Sequence, residues 1–146
     1  MELIISVMNK DLPIRVTDEM LNNDPFSLWL GIKRIEDGIG ISTLSMRVTR
    51  EMLNGFGILH GGIAFSLADT ALAFAANSHG RKCLSVENSI HYIDSCREGD
   101  QLIAKATEVS CSFKIAVYEV QILKNDNDKV AVFRGTVYRS SKEWDV

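Results

Sequence analysis

Proline is scarce in this chain, with two in 146 residues, and the ten glycines fall in no low-complexity tract. There is consequently no linker, and no repeat at solenoid spacing, so the expectation is one domain over residues 1–146, its first ~23 residues forming a helical extension. Cysteine is also sparse: Cys83, Cys96 and Cys111 are odd in number and far apart. That excludes a disulfide framework and the CxxC spacing of a zinc site, and predicts reduced, mostly buried thiols. The 16 Lys and Arg are scattered and the net charge is −3, so the basic stripe needed for a phosphate backbone is missing and nucleic acid is excluded as a partner. No stretch supplies the roughly 20 uninterrupted apolar residues of a membrane span. The opening MELIISVMNKDLPIRV has only a few apolar residues in a row, an acidic second position and no small-residue cleavage site; it does not read as a secretion signal, and a cytoplasmic location is expected. Walker, HExxH and GxSxG patterns are absent as well, which leaves phosphoryl-transfer, zincin and serine-hydrolase readings without support.

What the sequence does contain is alternation. From Ile39 to Val48, Leu44, Met46 and Val48 share one face and Thr43, Ser45 and Arg47 the other, the pattern of a half-buried strand. Four more strand signals follow residue 80. Val86, Ile90 and Tyr92 belong to the first; Leu102, Ala104 and Ala106 to the second, after the EGD turn at 98–100. Ala116, Tyr118, Val120 and Ile122 mark the third; Ala131, Phe133, Gly135 and Val137 mark the fourth, with NDND at 125–128 as the hairpin turn between them. Short connections predict an antiparallel sheet. A short helix is expected from Thr17 to about Leu30, broken near Pro25, whose nitrogen has no hydrogen to donate.

Between Gly61 and Ser78 lies a helix that is apolar on nearly every side, which predicts a long helix packed on one sheet face in an α+β domain. At 100° per residue, Ser66, Asp69, Thr70 and Asn77 fall with Ala73 in one narrow arc. A carboxylate in such a helix costs several kcal/mol unless it is paired or hydrogen-bonded. Asp69 therefore reads either as a packing residue bonded across an interface or as a poorly solvated base or nucleophile in a cleft. The preceding loop, NGFGILHGG from Asn54 to Gly62, favours the second reading. It delivers amides at the positive end of the helix dipole, and Gly61 and Gly62 let another molecule approach the backbone. That is a site for a carbonyl oxygen turning into an oxyanion. His60 reads as a structural hydrogen-bonding residue or a base, and Asn54 as a turn former or a donor to a bound carbonyl or water.

Asn54, His60, Gly61, Gly62 and LADT at 67–70 together resemble the hotdog-fold acyl-CoA thioesterases of the phenylacetate-pathway (PaaI-type) group. NSHG after the helix, GDQLIAKATEV from Gly99, AVYEVQI from Ala116 and VAVFRGTVYR from Val130 stand in the order and spacing of that family, so the resemblance spans roughly Asp24 to Arg139. It implies a hotdog fold, an antiparallel sheet of five or six strands wrapped around one long helix. It also implies a homodimer or homotetramer with active sites at the dimer interface. By the same resemblance, Gly61 gives its N–H to the thioester carbonyl, His60 positions the loop, and Asp69 of the opposing subunit attacks the thioester or activates water. Asn54 orients that water or the carbonyl, and Ser85 stands where some members hold the water with a hydroxyl. Gly62, Thr70, Arg81, Lys82 and Lys114 are the implied substrate-binding positions, with Arg139 a further candidate for the coenzyme A phosphates. Two departures stand out. Ser95 replaces a common proline before the GD turn, and SFKI puts Phe113 and Ile115 where polar residues are usual.

The expectation is thus hydrolysis of an acyl-CoA or aryl-acyl-CoA thioester to the free acid and coenzyme A, without metal or other cofactor. The alternatives are a non-catalytic acyl-CoA-binding hotdog domain and a hydratase or dehydratase of the same fold. A pure binder needs no buried base. The proline-rich loop around a catalytic histidine, typical of carrier-protein dehydratases, is missing.

Overall fold

A computed structural model describes residues 2–125 and 127–146. The predicted long helix, α3, runs Gly61–Asn77 and is enclosed by six strands: β1 (Lys33–Gly38), β2 (Ile41–Arg47), β3 (Arg81–Tyr92), β4 (Gln101–Cys111), β5 (Ile115–Lys124) and β6 (Asp128–Glu143). The strands form one antiparallel sheet in the order β1-β2-β4-β5-β6-β3. This is the hotdog arrangement expected above. Alternation explains why it curls: Leu44 and Met46 from β2, Leu102 and Ala104 from β4, Tyr118 and Ile122 from β5 are all buried against α3. The helix answers with Ala64, Ala68, Ala71 and Ala75, small enough for the strands to approach closely, between buried Leu67, Leu72 and Phe74. The hairpin turn expected at 125–128 joins β5 to β6; its Asp126 lies outside the described residues. No helix among the described residues is long and apolar enough to cross a membrane.

Two local expectations need correction. The single helix expected from Thr17 to Leu30 is two: α1 (Glu2–Asn22) and α2 (Pro25–Trp29). The break near Pro25 is present, because Pro25 occupies the first turn of α2, where its missing N–H is not needed, and Asp24 caps that turn by accepting from the Ser27 N–H at 3.0 Å. The start lies much earlier. Pro13 lies inside α1, and a proline signal hides a helix whose stability comes from docking: Val16 and Thr17 are buried, and Arg34 of β1 bonds the Thr17 hydroxyl at 2.5 Å and pairs with Asp18. Second, the strand read from Ile39 begins at Ile41, and β1 leaves no sequence signal because its residues alternate poorly between buried and exposed. Val86, Ile90 and Tyr92 share one strand as expected, β3, an edge strand on which Leu84 and Val86 are 70% and 60% exposed. Of the cysteines, Cys83 and Cys96 are buried as expected, but Cys111 is exposed.

The far end of α3 is fastened by polar contacts. Ser78 donates to the Ala75 carbonyl at 2.6 Å and accepts from the Gly40 N–H at 2.8 Å. Just beyond it, His79 Nε2 meets Glu108 Oε1 at 2.7 Å, and the buried Tyr118 hydroxyl donates to the same oxygen at 2.6 Å. Burial pushes the Glu108 carboxyl up, but the Tyr118 and His79 donors more than offset it, so it titrates below its ordinary range. A carboxyl depressed on folding contributes stability above its unfolded value and loses it as pH falls through the folded one. Glu108→Gln is accordingly expected to cost about 1 kcal/mol at neutral pH, the gap closing below about pH 4, as read from urea unfolding at pH 7 and at about pH 3.5. A gap of equal size at both values overturns this account.

Candidate active site

The loop entering α3 is built by its own polar groups. Asn54 Oδ1 accepts from the N–H groups of Phe56 at 2.9 Å and Ile58 at 3.4 Å, while the Asn54 N–H donates to the Ile58 carbonyl at 2.8 Å. Its side-chain oxygen therefore folds the loop, and its amide NH₂ is the group left to the cleft that Asn54 helps to line. The His60 N–H binds the Met52 carbonyl at 2.8 Å, and His60 is the N-cap of α3, its Nδ1 accepting from the Gly62 N–H at 3.3 Å. With Nδ1 accepting, a neutral ring carries its hydrogen on Nε2. His60 is thus placed as a loop-positioning residue.

Gly61 is the first residue of the helix, and its N–H meets no acceptor among the described residues. Tyr92 holds it in place: the phenol donates to the Gly61 carbonyl at 2.8 Å, and a Cβ at position 61 would lie 2.8 Å from that hydroxyl. Only glycine lets the ring come so close. Gly61 and Tyr92 line a cleft of about 400 Å³ with Ile58, Ala64, Ser95 and Cys96. Burial pushes the Cys96 thiol up to about 11, so it stays protonated at neutral pH and is no nucleophile. A dipole-backed amide at the mouth of a cleft can polarise a carbonyl.

Asp69 lies two turns further along α3, half-buried. Its Oδ1 accepts from Asn88 Nδ2 at 2.9 Å and from the Ser85 hydroxyl at 3.3 Å. It opens into a second cleft of about 430 Å³, lined by Met20, Ala73, Leu84, Cys83, Lys82 and Trp144 among others. The predicted polar arc on α3 divides here. Asp69, Ala73 and Asn77 face this cleft, whereas Thr70 gives its hydroxyl to the Ser66 carbonyl at 2.9 Å and lies 3.4 Å from the Ser27 hydroxyl of α2. Asn77 accepts from the Trp144 indole at 2.8 Å and so fixes the ring that closes the cleft's far end, with the Lys82 ammonium 4.9 Å from the indole centroid.

The remaining basic candidates separate by how fully they are engaged. Arg81 spends its guanidinium on the carbonyls of Ser140, Phe113 and Arg139 at 2.8–2.9 Å and stacks on Phe113. Arg139 donates to the Ser112 carbonyl at 2.6 Å. Lys114 is exposed on the adjoining turn, and Gly62 is exposed at the helix start. Among the described residues, metal-ligand atoms come closest together at His79, Glu108 and Cys111, within 4.8 Å of one another. That group lies past the C-terminal end of α3, away from both clefts.

Sequence reading missed Asn88, Tyr92 as a polar residue, Met20 and Trp144. Asn88 carries a weak signal in retrospect, an amide within a strand otherwise read for its apolar residues; the others depend on chain segments whose docking no periodicity reveals.

Residues 61 and 69 are separated along one rigid helix by about 12 Å, at 1.5 Å per residue. An amide and a carboxylate that far apart cannot both reach one carbonyl carbon. A single chain therefore holds the free amide and the carboxylate in separate clefts.

The family model of the thioesterase superfamily matches residues 56–131. A protein of Archaeoglobus fulgidus, whose name gives esterase as an unproven activity, is 40% identical over 130 residues, covering 89% of this chain and 84% of that one. Acyl-coenzyme A thioesterase PaaI of Escherichia coli is 38% identical over 120 residues, covering 82% and 86%. The solved structure of E. coli PaaI superposes with a TM-score of 0.90 at 34% identity, over 92% of this chain and 97% of that one. A point mutant of the phenylacetic acid degradation protein PaaI from Thermus thermophilus gives 0.78 at 32% identity, over 80% and 100%.

Proposed function

Since the chain belongs to the thioesterase superfamily, we propose that it hydrolyses an acyl-coenzyme A thioester to the free acid and coenzyme A, in the cytoplasm where such thioesters are made and used. The observation that carries this is the pairing of Asp69, aimed by two donors into a cleft, with a free amide at the N-terminus of the same helix. These are the two parts that acyl hydrolysis needs.

In this reading the thioester carbonyl oxygen accepts from Gly61 N–H, and the helix dipole steadies the negative charge that forms there. Asp69 of the second protomer acts on the carbonyl carbon, directly or through a water whose proton it takes, and Ser85 and Asn54 hold the reacting oxygen. The C–S bond then breaks, the electron pair leaves with sulfur, and coenzyme A departs as the thiol once protonated; where Asp69 attacked directly, water then cleaves the acyl–Asp69 anhydride, releasing the acid and restoring the carboxylate. The separation of about 12 Å between amide and carboxylate is why a homodimer is part of the proposal. The exposed Leu84 and Val86 on the free edge of β3, the strand that carries Ser85 and Asn88, supply the surface for that pairing. Lys82 and Lys114 are the proposed phosphate contacts, since Arg81 and Arg139 already serve backbone carbonyls.

The acyl preference, aliphatic or aryl, is read from a thiol-release panel of short, medium, long and aromatic acyl-CoAs. Hydrolysis well above background for at least one class is expected. Background rates across the panel, with binding retained, overturn the enzyme reading in favour of an acyl-CoA-binding module.

A further inference from the structure

The hydrogen bond from Asn88 to Asp69 is sustained at an unusual local cost. Asn88 Oδ1 is buried with no hydrogen-bond partner, and such an orphaned acceptor is unfavourable unless something holds it there. What fixes the amide is Asp69: only with Nδ2 turned to the carboxylate, at 2.9 Å, does the side chain donate to it, and the opposite orientation would set oxygen against oxygen. Space for that side chain is made from across the sheet. Asn88 pairs in register with Gly135 of β6, and a Cβ at 135 would fall 2.3 Å from Asn88 Oδ1 and 2.3 Å from Leu72 Cδ1. Gly135 thus lets strand, amide and helix meet at one point.

We propose that Asn88, seated by Gly135, is a positioning residue for thioester hydrolysis: it points the Asp69 carboxylate into the cleft, at the expense of a buried carbonyl left unbonded. This rests on Asp69 being the reactive carboxylate. Ser85 reaches the same oxygen only at 3.3 Å, so Asn88 is the closer of the two donors. The other titratable groups lining the cleft are Lys82 and Cys83, and neither is altered in the variants below.

The test uses the intact chain and the acyl-CoA that the panel identifies. Asn88→Ala is expected to lower kcat by about ten- to a hundredfold with KM little changed, the range for a displaced reacting group. Asn88→Asp preserves size but offers a carboxylate in place of the donor, so its kcat falls at least as far. Should Asn88→Ala fail to fold, Asn88→Asp carries the test alone. Native kcat in either folded variant, or a loss that falls on KM with kcat kept, overturns the proposal, since a residue that only fills space is replaced without loss by the isosteric aspartate. An Asp69→Asn variant run alongside separates the two claims: if it remains active, the parent reading fails; if it is dead while the Asn88 variants keep native kcat, only the positioning role fails.

Discussion

Asp69→Asn is expected to abolish nearly all hydrolysis, lowering kcat by about a hundredfold or more, while acyl-CoA binding and the fold persist. Asparagine has the same shape, and its oxygen still accepts from Asn88 and Ser85, so the cleft retains its contacts. What disappears is the negative charge that attacks a carbonyl or takes a proton from water. Single-turnover kinetics and equilibrium binding of the same acyl-CoA check the two halves of the statement separately. A variant with native kcat places the reactive group elsewhere. One that no longer binds shows that the aspartate served the ligand and not the chemistry.

The second large effect is expected at Gly61. In Gly61→Ala the new methyl would lie 2.8 Å from the Tyr92 hydroxyl and 2.9 Å from its ring carbon, so tyrosine and backbone must separate. That breaks the bond from the phenol to the Gly61 carbonyl and leaves a methyl beside the amide, where the thioester must approach. Denying the oxyanion its donor lowers kcat by roughly a hundredfold to a thousandfold. The informative step is to mix this variant with Asp69→Asn after both have been unfolded and refolded together. If each centre takes its amide from one chain and its carboxylate from the other, half of the dimers are mixed and each has one intact centre. About a quarter of native activity returns. Native chains refolded in the same way control for recovery, and with that control in place a mixture that stays inactive refutes the shared centre.

Much of this was legible before any coordinates. The helix from Gly61 and the inward faces of β2, β4, β5 and β6 follow from periodicity, because a buried stripe and a half-buried strand leave regular marks. Asp69 announced itself as a charge in an otherwise apolar helix. The failures share a cause. The helix expected from Thr17 is misplaced at its start because Val16 and Thr17 are stabilised by docking on distant residues, which no local pattern shows. That β3 lies at an edge is hidden because an edge strand and a central strand carry the same residue types; only the sheet order shows which side lacks a neighbour. Asn88 gives little warning because its importance comes from Gly135, far along the chain and opposite it only once β3 and β6 are paired.

Part of the wall around Asp69 lies outside the segment that the family shares. Gly61, Asp69 and Ser85 all fall within residues 56–131, the part matched by the family, whereas Met20 on α1 and Trp144 after β6 come from the flanks and close over the same cavity. Substitutions in those flanking segments are expected to change the room beside Asp69 while Gly61, Asp69 and Ser85 stay in place. Descendants of such a chain are free to trade one diet of thioesters for another while the reaction itself stays put.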